Sequence, residues 1–127
     1  VAKRVIELLD QDHYGASGRI ARLSGRFAAN LEKMAKNSCK GLISEWRAIG
    51  GMIAVQPLGG TLEDVKAVLM RLFDLGVVAF YCGHGPILIR MLPPLGAMSE
   101  AHVDEVCALI ERAILDVAEA KTKKARA

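Results

Sequence analysis

Ile87-Leu88-Ile89-Arg90-Met91-Leu92-Pro93-Pro94-Leu95 is the stretch whose reading decides the fold. It sets one permanent cation inside an apolar, strand-forming run. Two prolines then stop the run, because they have no N–H for a sheet ladder. Side chains alternate along a strand, so Leu88, Arg90 and Leu92 share one face. Arginine does not shed its proton inside a protein. Withdrawn from water it needs an acid in good geometry, and no Asp or Glu lies within four residues of Arg90. The partner must come from elsewhere in the fold, from another domain or from a ligand. The planar fork grips a carboxylate at two points, so an acidic small molecule is the natural candidate.

Upstream of this strand, Val77–Cys82 is a second continuous apolar run, and Gly83-His84-Gly85-Pro86 between them reads as the four-residue loop of a hairpin. Before it, Leu62, Val65, Leu69, Leu72 and Phe73 recur at helical spacing. Thr61 stands at the N-cap, Asp64 at the third helical position and Gly76 at the stop. Leu42–Ile49 and Met52–Gln56 read as two short strands around Gly50-Gly51. Two helices precede them. One carries Val1, Val5, Ile6, Leu8 and Leu9. The other carries Ile20, Leu23, Phe27, Leu31 and Met34 and ends near Asn37, with a break over Asp12–Gly18. Downstream, Ser99 caps a long helix lined by Val103, Val106, Cys107, Ile110, Ala113, Ile114 and Val117. The order α-α-β-β-α-β-β-α predicts an α+β fold, a two-layer sandwich with a short, mostly antiparallel four-stranded sheet covered by helices.

The length of 127 residues suits one domain. The apolar share is 52% and the mean hydropathy +0.26, which points to apolar surface meant to face something else. The net charge of +3 belongs to the end of the chain. Of 17 basic residues, Lys121, Lys123, Lys124 and Arg126 lie there, leaving 13 against 14 acidic ones. Residues 1–119 therefore read as the domain and 120–127 as a basic disordered tail. No basic face for nucleic acid is evident, and no apolar run reaches membrane length. Cys39, Cys82 and Cys107 are odd in number and lack metal spacing. They read as reduced thiols of a cytoplasmic protein, with Cys82 and Cys107 in the core. The sequence opens at Val1 inside a helical pattern with no cap before it, which reads as a piece of a longer polypeptide.

Three blocks together resemble the C-terminal, small domain of class III pyridoxal-phosphate-dependent aminotransferases, the group that includes acetylornithine, ornithine and 4-aminobutyrate aminotransferases. Trp46-Arg47-Ala48-Ile49-Gly50-Gly51-Met52-Ile53-Ala54 is similar to the family's Val-Arg-Gly-x-Gly-Leu-Met segment. Leu72–Val78 followed by Gly83-His84 is similar to its Leu-x-x-x-Gly-Val-Leu strand entry, and Ile89–Leu95 to its Ile-Arg-x-x-Pro-Pro-Leu segment. Ala48, Gly51 and Trp46 depart from the pattern. The resemblance implies the small domain of a fold-type I transferase. It also implies that the parent moves an amino group between an amino acid and a 2-oxo acid. Arg90 would bind the substrate carboxylate, and a glutamate of the large domain would be an alternative partner. The Schiff-base lysine, the other contacts to pyridoxal 5′-phosphate and the bulk of a homodimeric enzyme would lie in a missing large domain. This chain alone is then expected to bind no cofactor and to be inactive.

The rival readings are a stand-alone α+β ligand-binding or interaction module without catalysis, and a regulatory domain that binds amino acids. Arg47 reads as structural, bonding carbonyls between strands. His13, His84 and His102 read as connector, loop and helix-surface residues, with no neighbour to make a dyad. No residue reads as a catalytic group or a metal ligand.

Overall fold

The computed structural model describes residues 1–126. Along the chain run α1 (Ala2–Asp12), α2 (Arg19–Lys36), β1 (Ile43–Ile49), β2 (Met52–Pro57), α3 (Leu62–Asp74), β3 (Phe80–Cys82), β4 (Leu88–Met91) and α4 (Glu100–Arg126). The strands form one antiparallel sheet in the order β1-β2-β4-β3. The α+β, two-layer expectation holds.

Alternation along the strands explains the layering. Ile53, Val55, Ile89 and Met91 point one way and are buried. Against them pack Phe27 and Leu31 of α2, Val65, Val68 and Leu72 of α3, and Val103, Ile110 and Ile114 of α4. The opposite face stays open, leaving Ile49 at 77%, Met52 at 55% and Phe80 at 64% exposure. The apolar stripe of α1 is likewise unpartnered, and none of its residues is buried.

The local signals act as their chemistry demands. Thr61 accepts from the backbone N–H of Asp64 at 3.1 Å, capping α3. Gly76, at φ +88°, ends that helix, as Gly76 N donates to Phe73 O at 2.9 Å and Val77 N to Leu72 O at 2.9 Å. Gly50, at φ +55°, takes the first central position of the β1–β2 turn, where a side chain would be strained. Ser99 and His102 cap α4 reciprocally. His102 N donates to Ser99 Oγ at 3.3 Å, and Ser99 N donates to His102 Nδ1 at 3.2 Å.

Four expectations are corrected. The strand expected over Val77–Cys82 begins only at Phe80, because the N–H of Val77 is spent on the α3 cap. The partner strand ends at Met91, ahead of the prolines. Phe73 is 63% exposed and takes no part in the core face of α3, where Val68 stands instead. The basic segment continues α4 through Arg126, so the disordered tail expected over 120–127 is helical as far as it is described; Ala127 lies outside the described residues. Alanine, lysine and glutamate are good helix formers, and basic side chains suit a helix C-terminus. Glu119 and Lys123 pair one turn apart at 2.6 Å, and Lys121 pairs with Asp64 in the first turn of α3. Asp64 is only 5% exposed, and the hydrogen bond from Lys121 holds its carboxyl below the usual range.

Phe27→Ala should lower stability by about 3–5 kcal/mol in denaturant unfolding. Phe73→Ala should change it by less than about 0.5 kcal/mol.

Candidate functional site

Arg90 stands in β4, with Ala54 of β2 opposite it on one side and Phe80 of β3 on the other. Ala54 in turn faces Arg47 of β1. Directly opposed residues share a face, so Arg47, Ala54, Arg90 and Phe80 form one row across the open side of the sheet. Ile49 and Met52 flank the row toward the β1–β2 turn, whereas Leu92, 64% exposed, lies past the end of β4, where strand alternation no longer sets its face. The two guanidinium carriers are two strands apart, roughly 10 Å by strand spacing.

The two arginines differ in their surroundings. Arg47 is held by Glu45, two residues back on the same strand, with Nε donating to Oε1 at 2.7 Å and Nη2 to the same oxygen. Its partner is therefore a carboxylate and not the strand carbonyls expected from the sequence. Arg90 is half-buried and makes no ion pair with any described residue. The guanidinium is not sealed in a core, because no helix lies over its face. Its neighbours in the row are a methyl group and a phenyl ring, neither of which can satisfy its donors.

The remaining candidates lie apart from this row. His84 is exposed in the β3–β4 loop. The Nδ1 of His13 lies 3.1 Å from Leu8 O, and its ring abuts Gly96. His102 is engaged in the α4 cap. Among the described residues no group of His, Cys, Asp and Glu is placed to hold a metal ion, and no helix is long and apolar enough to cross a membrane.

Two surface grooves lie on the helical side, and Arg90 lines neither. One, of about 510 Å³, runs between α2 and α4 past Arg26, Asn30, Asp104 and Cys107. Within it Arg26 grips Asp104 at two points, 2.8 and 2.6 Å, and Asn30 adds a third bond at 2.8 Å. The Arg26 bonds first, then the Asn30 amide, pull the Asp104 carboxyl down to about 2. The other groove, of about 400 Å³, is apolar and follows Met91, Leu92, Pro93 and Met98 to Val106.

All three cysteines are free. Burial pushes the Cys107 thiol up to about 11 and raises that of Cys39. Cys82, expected in the core, is half-buried on the short strand β3, and Cys39 occupies a core position in its place.

With this geometry in view, comparison with known proteins gives one kind of answer. No family model matches the sequence, and no curated protein matches it. Solved structures do. The lysine aminotransferase of M. tuberculosis superposes with a TM-score of 0.75 at 23% identity, over 91% of this chain and 25% of that one. A transaminase from the marine bacterium Virgibacillus gives 0.73 at 20% identity, over 94% and 27%. The ornithine aminotransferase of Toxoplasma gondii gives 0.67 at 23%, over 84% and 24%.

The fold is that of an aminotransferase segment. This chain spans about a quarter of the length of the solved enzymes it matches. Their likeness bears on architecture; within it Arg90 is a half-buried arginine on a sheet strand with no ion pair to any described residue.

Two measurements check the site description. A thiol reagent applied to the native chain should modify Cys82 well before Cys39 and Cys107, and Cys82→Ser should abolish the fast phase. Because the Asp104 carboxyl is lowered, its contribution to stability is whole above the ordinary carboxylate range. It is lost as pH falls from about 4 toward 2. Asp104→Asn should flatten the pH dependence of the unfolding midpoint across that window.

Proposed function

We propose that this chain is the small-domain part of a pyridoxal-phosphate-dependent class III aminotransferase. In this reading Arg90 anchors the carboxylate of the amino acid or 2-oxo acid substrate. The observation that carries it is an unpaired arginine at the centre of an open sheet face, in a fold shared with aminotransferases. An open face bearing Ile49, Met52 and Phe80 is what a large domain would cover. The solved aminotransferases are about four times longer than the segment they share with this chain, which supports such a partner. Covering the face would withdraw the guanidinium from water and strengthen its grip on an acid.

In this reading the cofactor is held outside this chain. No lysine stands on any of the four strands, and every lysine of the chain is exposed. The strands also offer no acidic group beside Arg90 for a pyridine nitrogen. Pyridoxal phosphate, which one of the solved relatives carries at partial occupancy in its active site, is therefore assigned to the part of the enzyme outside this chain. When bound there it would supply the electron sink of amino-group transfer. The share of this chain is to orient and hold the substrate acid. The parent would be a cytoplasmic homodimer whose three thiols here stay reduced.

Arg90→Lys in the full-length enzyme should cost about 2–4 kcal/mol of substrate binding and orientation, because an ammonium does not reproduce the two-point fork. Steady-state kinetics with an α-amino acid checks this. An unchanged KM and kcat/KM would remove Arg90 from the site.

A further inference from the structure

The outer strand β1 has a property that the reading of Arg90 does not use. It runs for seven residues at one edge of the sheet, against three for β3 at the other edge. An outer strand presents unpaired N–H and C=O groups to any second strand. In an antiparallel hairpin closed by a two-residue turn, the residues beside the turn exchange hydrogen bonds, and the alternation runs on from there. Ile49, Arg47 and Glu45 therefore spend their backbone groups on Met52, Ala54 and Gln56. Trp46 and Ala48 direct theirs away from the sheet. Trp46 and Ala48 are half-buried and Ser44 is exposed, and among the described residues no strand other than β2 pairs with β1.

The charges on the strand then choose a partner. Glu45 and Arg47 sit on the same face and bracket Trp46. If β1 is laid antiparallel to a copy of itself, with the two-fold axis at Trp46, each Glu45 meets the Arg47 of the other copy. If the axis moves to Glu45 or to Arg47, like charges stand directly opposite, which destabilises a pair of strands. The charges thus favour the register centred on Trp46 over the two centred beside it on Glu45 and Arg47. The five donors of Arg47 can serve the Glu45 of its own chain and that of the second copy together. The irregularity between Ile43 and Glu45 ends the regular ladder and confines the pairing to the stretch around Trp46. At such an axis the two half-buried Trp46 side chains would stand directly opposite one another, and aromatic cross-strand pairs add to strand pairing.

We propose that β1 is a self-complementary edge through which two copies of this chain pair, antiparallel about Trp46, into one continuous sheet. The two-fold symmetry makes the contact isologous, so it closes at a dimer.

The test is the oligomeric state of the 127-residue chain, followed by analytical ultracentrifugation over a range of concentrations. A reversible dimer is expected. Glu45→Arg and Arg47→Glu should each weaken it by about tenfold or more. An equimolar mixture of the two variants should restore a dimer holding one chain of each, resolved by native mass spectrometry. The pair within each chain is lost in both variants, so recovery on mixing reports pairing between chains. Phe80→Glu, on the open face, should leave the dimer intact. Circular dichroism identifies any variant that fails to fold. In that event the double variant Glu45→Arg/Arg47→Glu, which keeps every pair, must still dimerise. A chain that stays monomeric, a dimer indifferent to both single variants, or a mixture without the mixed dimer overturns the proposal. Loss of the dimer in Phe80→Glu also overturns it, by moving the contact to the open face. None of these outcomes depends on the role of Arg90, so the two readings fail separately.

Discussion

One-sided cover is the constraint on which the rest of this structure depends. Helices α2, α3 and α4 share one core with the same side of a four-stranded sheet, α4 packing on α2 and α3. A strand cannot turn its side chains to one side only, so every buried Ile53, Val55, Ile89 or Met91 obliges a neighbour to face outward. Arg47, Ala54, Arg90 and Phe80 are those neighbours. The outward place of Arg90 therefore follows from the same alternation that builds the core, and among the described residues no second helical layer brings it an acid.

Much of the architecture is legible in the sequence because its strongest signals are local. The Thr61 cap, the glycine stop at position 76 and the helical stripes of α2 and α4 each depend on residues within a turn or two. The order of elements then leaves few ways to cover a small antiparallel sheet. What misled was tertiary. Phe73 fits the helical period, but its position faces solvent. Val77 has strand chemistry, but its amide is already committed to the end of α3. The basic run after Glu119 looks like a solvated tail until Lys121 finds Asp64, 57 residues away. That partnership is invisible to composition.

The site was partly legible for a similar reason. An apolar strand holding one arginine before two prolines marks Arg90 without any structure. The row it belongs to, with Phe80 on one side and Ala54 and Arg47 on the other, requires the pairing of four strands and is written nowhere in a single window. The difference between the two arginines was open to reading, since Glu45 stands two residues from Arg47, on the same strand face, and no acid lies within four residues of Arg90. The reversed places of Cys39 and Cys82 show the same limit, since a cysteine looks equally at home in a short strand and in a core.

The only tryptophan of the chain, Trp46, sits half-buried on β1. Ultraviolet emission excited at the red edge of protein absorption comes from that one ring. Its wavelength and quenching by added iodide give an optical probe of the sheet's outermost strand, with no label attached and no competing signal to subtract.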